Sequence, residues 1–146
     1  MGIFKQNGQK DFYYKFALNT HQKAFDATEA MKFSLEHQNP LVTGLVEGNN
    51  SQSSINTLSL LSINDPNVLL WSVKPSEEGI ENGLITRFWN FNSKSVSPII
   101  KLAQPIKSAW QTSHIETNEQ KLMPVNGIIK TKFKQHQLQT FRLILK

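Results

Sequence analysis

The sequence predicts an all-β protein, an antiparallel β-sandwich with one short helix. Short apolar runs recur along the chain, and turn residues separate them about every ten residues, which is typical of sandwiches. One stretch has helical periodicity: Asp26 and Glu29 can form a capping box, and apolar residues then recur at helical spacing. Because Asn39-Pro40 disfavours further helix, the helix is predicted at 27–37.

The strands are predicted from apolar runs between turn signals. The first lies at 11–20, because Phe12, Tyr14, Phe16 and Leu18 share one face when side chains alternate. Residues 75–83 contain Pro, Ser and Gly and are predicted to form a loop. Later apolar runs follow in chain order at 41–47, 55–63, 68–73, 84–91, 98–102, 109–114, 128–133 and 138–145.

The length of 146 residues fits one domain with a sizeable core. Residues 1–10 are polar and are predicted to be a flexible N-terminus, which leaves 11–146 for the sandwich domain. Residues 48–54 consist of Gly, Asn, Gln and Ser. This composition makes them the candidate for an internal boundary or a flexible insertion.

The composition excludes several classes of site. The chain has no cysteine, so disulfide bonds, thiolate zinc sites and a thiol nucleophile are excluded. Its four histidines lack the spacing of converging zinc ligands, and no metal site is predicted. No apolar stretch approaches the roughly 20 residues of a membrane span, and the N-terminus lacks a signal-peptide core. We therefore expect a cytoplasmic protein, or a part of a larger one, without a membrane partner.

The positive charge is concentrated near the C-terminus. The whole chain carries +5, and no acidic residue follows Glu119, so the last segment carries +6 and the first 119 residues carry −1. The basic residues of this segment are Lys121, Lys130, Lys132, Lys134, Arg142 and Lys146. Alternating lysines indicate the solvated face of a strand. Binding of nucleic acid or of an acidic partner is the less favoured alternative, because no recognition motif accompanies the charge.

Few residues suggest catalysis. Glu77 and Glu78 are adjacent in the predicted loop, where they are most simply solvated. Glycosidases instead hold two carboxyl groups on a rigid frame, about 5–5.5 or 6.5–9.5 Å apart. The sequence has no nucleophile elbow, phosphate-binding loop or dinucleotide-binding motif. No catalytic residue is assigned.

Arg87 and the three tryptophans are the candidate contact residues. Arg87 shares a predicted strand face with Ile85, Trp89 and Phe91, where it can stack on a ring or pair with a carboxylate across the sheet. Two interpretations stay open: a structural arginine that clamps a neighbouring loop, and a contact with a sugar or a partner domain. Trp71, Trp89 and Trp110 pose the same choice between core residues and a sugar platform.

The ordered set of motifs resembles the C-terminal β-domain region of glycoside hydrolase family 38 α-mannosidases. The resemblance covers about 11–145 and includes Ala109–Glu116 and Thr140–Leu143. Two features depart from the family pattern: Gln137 replaces an acidic residue, and Ile80–Asn82 are additional. The other matching residues are Phe16, Ala17, Leu18, His21, Asn39, Pro40, Leu41, Val73, Lys74, Glu77, Glu78, Gly79, Arg87, Phe88 and Asn90.

The resemblance implies a non-catalytic role. In this family the zinc ion, its ligands and the nucleophilic aspartate of retaining α-mannoside hydrolysis belong to an N-terminal α/β domain without a counterpart in this sequence. The chain is then expected to be inactive alone, to hold no cofactor and to brace the catalytic domain. Arg87, Lys74 and Asn90 are the expected interdomain or cleft-rim contacts. The alternative is a stand-alone carbohydrate-binding module that binds mannose-containing oligosaccharides.

An accessory domain separated from its enzyme would expose the apolar surface on which the catalytic domain rests. We therefore also expect self-association of the isolated chain.

Overall fold

The computed structural model describes residues 13–44 and 57–146. The chain divides into two compact units, Met1–Leu41 and Val42–Lys146. The predicted flexible segment 1–10 and the predicted boundary at 48–54 lie outside the described residues. The division at Leu41 separates the predicted first strand and the helix from the remaining strands.

The first unit contains the predicted helix, α1 (Ala27–Gln38). Its start is capped by Asp26, whose carboxylate accepts hydrogen bonds from the backbone N–H groups of Thr28 at 2.8 Å and Glu29 at 3.1 Å. These bonds satisfy two amides that have no partner within a helix, which stabilises the helix start. The backbone N–H of Asn39 closes the last turn. The helix prediction is confirmed, one residue longer than expected.

The strand predicted at 11–20 is wrong where the structure describes it, because residues 13–20 form no strand. Tyr14, Phe16 and Leu18, three of the side chains that alternate, are 70%, 86% and 96% exposed. Alternation shows that a segment could bury one face, but a strand also needs a hydrogen-bonded neighbour. The described part of this unit contains no other strand to supply it.

The second unit is an antiparallel sandwich, which confirms the predicted fold class. One sheet has three strands in the order β1-β4-β7, the other has five in the order β2-β3-β8-β5-β6, and every pairing is antiparallel. The strands that the structure describes in this unit are β1 (Leu61–Ile63), β2 (Val68–Ser76), β3 (Gly79–Asn90), β4 (Ile99–Leu102), β5 (Ile106–Thr112), β6 (Asn118–Leu122), β7 (Ile128–Lys130) and β8 (Leu138–Leu145).

The core lies between the two sheets. Phe141 occupies its centre, with its ring 6.0 Å from that of Phe88 and 6.2 Å from that of Phe133. All three rings are fully buried, and each contributes roughly 1.5–3 kcal/mol by leaving water. The other buried members of this core are Val68, Ile100, Leu102, Ile106, Ala109, Ile129 and Leu143.

The loop predicted at 75–83 is wrong, because strands occupy most of it. β2 extends to Ser76 and β3 begins at Gly79, so that only Glu77 and Glu78 form the turn. The register then jumps: Ser76 pairs with Gly79, and Pro75 pairs with Leu84. Four residues of β3, 80–83, are therefore bulged, and they include the three that depart from the family pattern. A bulge bends a strand and turns its side chains in a new direction.

The sequence did not predict β6. Among the described strands, β6 pairs only with β5 and forms one edge of the five-stranded sheet. Four of its five residues are exposed, so it has no apolar face and no alternation to detect.

Candidate functional site

The candidate site lies on the face of the five-stranded sheet that points away from the core, here called the outer face. Because Phe88 and Phe141 point into the core, alternation directs Arg87 and Arg142 to the outer face. Cross-strand partners share a face and form two rows. One row consists of Lys74, Ile85, Arg142 and Trp110, and the other consists of Ser72, Arg87, Thr140 and Thr112.

A charged cluster lies where the β2–β3 turn approaches the β5–β6 loop; it comprises Lys74, Glu77, Glu78, Glu116 and Arg142. Glu116 is at its centre and is only 7% exposed. Its carboxylate accepts hydrogen bonds from Lys74 Nζ at 2.6 Å and from the backbone N–H of Glu77 at 3.1 Å. Lys74 Nζ also pairs with the Glu77 carboxylate. One buried carboxylate thus joins two segments that are distant in sequence.

The backbone of Glu116 adopts a left-handed conformation, with φ of 67°. Such a conformation costs a residue with a side chain roughly 1–3 kcal/mol and persists only where surrounding contacts hold it. Here the bonds from Lys74 and Glu77 hold the side chain, and the carbonyl of Glu116 accepts a bond from Arg142 Nη2 at 2.8 Å. The loop is therefore fixed from both its side chain and its backbone.

Arg142 completes the charged cluster from β8. Its Nη1 donates to Ser76 Oγ at 3.1 Å, to Glu78 Oε2 at 3.2 Å and to the carbonyl of Asn82 at 3.2 Å. Together with the bond to Glu116, these contacts link β8 to β2, to the turn, to the bulge and to the β5–β6 loop. Arg142 is 7% exposed, so its charge belongs to the interior of this cluster. It is not available for the basic surface predicted near the C-terminus.

The pKa values of two groups follow from this arrangement. The pKa of Lys74 is raised above 10.5, mainly by its hydrogen bond to Glu116 and then by that to Glu77. Burial tends to raise the pKa of Glu116. The bonds from Lys74 and the Glu77 amide, with the charges of Lys74 and Arg142, outweigh this effect and lower the pKa below 4.5. Both groups are thus held in their charged forms.

A cavity of about 330 Å³ lies beside the charged cluster. Charged groups from Glu77, Glu78, Glu116 and Arg142 line it, together with Ile115, Thr117 and Asn118. Its volume suits one small polar group. Each of its charged residues already takes part in an ion pair or hydrogen bond within the protein.

Arg87 clamps a neighbouring loop, as one of the two open interpretations proposed. Its Nη2 donates to the carbonyl of His114 at 2.9 Å. Within the described ranges 13–44 and 57–146, Arg87 forms no ion pair and no contact with an aromatic face. The expected pairing with a carboxylate across the sheet and the expected stacking on a ring are therefore not found there. Its Nε is buried without an acceptor.

The tryptophans lie outside the buried core. Trp71 is 41% exposed at a bulge between Leu70 and Ser72, and its ring meets that of Trp89 edge-on at 5.3 Å. Trp89 in turn contacts Phe91 at 4.8 Å. This group of Trp71, Trp89 and Phe91 forms an aromatic cluster on β2, on β3 and at the residue directly after β3. Trp110 belongs to β5, two strands away from β3, and is partly buried.

Asn90 does not join Arg87 and Lys74. It lies on the face opposite Arg87 and is fully buried. Its Nδ2 donates to the carbonyls of Lys94 at 3.0 Å and Lys134 at 2.8 Å, and its Oδ1 accepts from the N–H of Asn92 at 2.9 Å. These bonds shape the loops at the other end of β3.

Sequence reasoning missed Glu116 and the internal role of Arg142. An arginine between apolar residues at 140–145 was the available signal, since a buried charge needs partners. Glu116 gave no local signal, because its bond to Glu77 spans 39 residues. Glu77 and Glu78 are exposed, as expected, but each is also bound to a basic residue.

The part of the chain that the structure describes contains neither a candidate metal site nor a candidate membrane-spanning helix. There, no three or more His, Asp or Glu side chains lie close enough together to hold a metal ion. Over the same residues, no helix is both long and apolar enough to cross a membrane.

Fold and site define a β-sandwich domain whose charged residues bind one another and fasten its own loops. Residues 67–141, just over half of the chain, match the glycosyl hydrolases family 38 C-terminal beta sandwich domain. The chain therefore belongs to this family, and the resemblance seen in the sequence is confirmed. The match covers β2 to the middle of β8 and contains Lys74, Arg87 and Asn90. No curated protein matched the chain.

Proposed function

We propose that this sandwich is a non-catalytic domain of a retaining α-mannosidase and that it braces the enzyme's catalytic domain. The zinc ion and the catalytic carboxylates would then belong to that other domain. The proposal includes a cytoplasmic location and contacts to the parent's sugar cleft. Membership of the C-terminal sandwich family supports the link to a family 38 glycosidase.

The observation that carries the bracing role is the exposed apolar edge strand β2. Leu70, Trp71 and Val73 are 36%, 41% and 49% exposed, and β2 ends the five-stranded sheet. The opposite edge, β6, is polar and carries charges, as edges that remain in water usually do. An apolar edge of this kind is typical of a surface that another domain covers.

The test is association between separately produced polypeptides. This chain and the catalytic domain of its parent enzyme are mixed, and binding is measured by calorimetry. We expect saturable binding that is lost in a Trp71→Ser/Val73→Ser variant. Met123→Ser is the matched control, because Met123 is 82% exposed outside β2 and should not affect binding. A wild-type chain that fails to bind the catalytic domain would refute the bracing role.

A stand-alone carbohydrate-binding module is the second candidate, favoured by the aromatic cluster of Trp71, Trp89 and Phe91, in which Trp71 is exposed. Aromatic faces can bind the apolar face of a sugar, although Trp71 and Trp89 meet edge to face. Titration of the isolated chain with mannose oligosaccharides, followed by tryptophan fluorescence, tests this function. A saturable response lost in Trp71→Ala supports the module, and a flat response supports the bracing role.

Binding of nucleic acid through the C-terminal segment is less favoured, because Arg142 is buried and forms an ion pair with Glu78. Such binding would weaken steeply with salt. Absence of binding to single and double strands at low salt would exclude it.

Self-association is part of the proposal, because the isolated chain leaves the β2 edge uncovered. Sedimentation at increasing concentration should then show a reversible dimer that the Trp71→Ser/Val73→Ser variant lacks. A wild-type chain that stays monomeric throughout would contradict this part.

A further inference from the structure

We infer that Arg87, on the strand next to β2, binds a carboxylate group presented by the catalytic domain that is proposed to pack against the β2 edge. This inference rests on the proposed bracing function and names the chemistry of the partner at one point. The occupant is an aspartate or glutamate side chain of the neighbouring domain.

The first argument compares the chain's two arginines, Arg87 and Arg142. Both lie on the outer face in adjacent strands, and the Nε of each is buried without an acceptor. The terminal nitrogens differ. Those of Arg142 donate to four acceptors, including the Glu78 carboxylate, whereas those of Arg87 reach the His114 carbonyl and no carboxylate among the described residues. The charge of Arg87 thus has no counterion in the described sandwich.

The second argument is the surroundings of Arg87. Its cross-strand neighbour is Ser72, whose Oγ is buried without a partner. The Ser72 hydroxyl is enclosed by the chain itself, whereas the partly exposed Arg87 can bind a carboxylate with two parallel bonds from its guanidinium. Of the two other hydroxyls in the same row, Thr112 Oγ1 also lacks a partner, whereas Thr140 Oγ1 bonds to His114 Nδ1 at 3.3 Å. Three polar atoms of this row, Ser72 Oγ, Arg87 Nε and Thr112 Oγ1, therefore lack partners among the described residues.

The third argument is the apolar rim. Trp71 is exposed at the bulge beside Ser72, and its ring meets that of Trp89, which shares the outer face with Arg87. A protein surface that covered these side chains would also exclude water from Arg87. Removal of water strengthens an ion pair, provided that both charges are present and well oriented. A neutral sugar would bring no such charge, so a carboxylate of a protein surface fits better.

The first experiment uses the full chain alone. Because the chain has only two arginines, only two arginine Nε–Hε signals need to be assigned. The two Nε–Hε signals are recorded by NMR, assigned with Arg87→Lys, and followed during titration with sodium acetate against sodium chloride at equal ionic strength. We expect a saturable shift of the Arg87 signal with acetate and none for Arg142. Inorganic phosphate as a third titrant tests whether the site prefers a phosphate. Equal shifts in acetate and chloride, no shift, or tighter binding of phosphate would overturn the inference.

The second experiment uses the two-polypeptide binding assay. Arg87→Gln should weaken binding about 10- to 100-fold and reduce its salt dependence, because it removes one partner of a desolvated charge pair. Lys121→Gln removes one exposed charge from the edge strand β6 and should leave affinity unchanged within about twofold. If the wild-type chain does not bind at all, the bracing function fails. If it binds and Arg87→Gln binds equally well, this inference alone is wrong.

Discussion

Arg142 provides the sharpest test of how this sandwich holds its loops. We predict that Arg142→Met severely destabilises the second unit while leaving its sheets intact. Methionine keeps most of the apolar stem that packs on the outer face, but it cannot donate a hydrogen bond. The substitution therefore removes the four donor contacts to Ser76, Glu78, Asn82 and Glu116 without creating a large cavity.

The expected magnitude follows from the burial of each acceptor. A hydrogen bond from a charged donor is worth roughly 1.5–3 kcal/mol, and the Glu116 carbonyl, at 2.8 Å, has the shortest one. Glu78 is 70% exposed, so its ion pair adds only about 0–1 kcal/mol. Because the contacts act together and water can reach some acceptors afterwards, their sum is an upper bound. We expect a loss of about 3 kcal/mol in the free energy of unfolding.

Urea unfolding followed by tryptophan fluorescence measures this loss. The chain has three tryptophans, and all lie on strands of the second unit, so the signal reports on the sandwich alone. Arg87→Met is the matched control, since it removes one hydrogen bond from a partly exposed arginine and should cost about 1 kcal/mol. If Arg142→Met costs no more than Arg87→Met, the charged cluster does not hold the loops as argued.

Three other predictions concern the carboxylate, the amide and the glycine that shape the sandwich. Because the pKa of Glu116 is lowered on folding, its carboxylate stabilises the fold above the ordinary pKa of 4.5, and this stabilisation is lost as the pH falls below it. Glu116→Gln should therefore reduce the acid dependence of stability in urea unfolding, and an unchanged pH profile would count against the ion pair with Lys74. Asn90→Ala should cost about 2–3 kcal/mol, since it leaves two loop carbonyls without their donor; calorimetry showing a wild-type Tm would contradict this role. Gly83→Ala should lower the Tm, because φ is +101° and an added Cβ would lie 2.7 Å from the Leu143 carbonyl oxygen, and an unchanged Tm would show that the bulge can relax.

Local periodicity could predict the helix and those strands whose two faces differ in polarity. Residues 84–91 alternate between core and outer face, so their strand and the common face of Arg87 and Trp89 could be predicted. The helix could be predicted as well, because Asp26 supplies a specific start signal and Pro40 a stop. In both cases the information lies within about ten neighbouring residues, which is the range over which periodicity operates.

The charged cluster could not be predicted in the same way. Its members come from β2, the turn, the β5–β6 loop and β8, and they meet only because β8 lies between β3 and β5. No local pattern encodes that order of strands. The strand prediction over residues 13–20 was wrong for the converse reason. Phe16 and Leu18 satisfy the local pattern of a strand, but the described part of their unit offers no neighbouring strand to pair with.

The two arginines show how the same residue type can serve stability in one place and recognition in another. Buried donors are normally satisfied, because an unpaired one loses its bonds to water without replacement. Arg142 meets this requirement at both terminal nitrogens through loops of its own chain, and only its Nε lacks an acceptor among the described residues. The row of Ser72, Arg87 and Thr112 does not, since each leaves a buried donor unused. A partner that supplied acceptors to this row would bind the folded chain selectively, and would therefore raise its apparent stability in proportion to the logarithm of partner concentration. The unsatisfied row, rather than the charged cluster, is thus where binding and folding should be coupled.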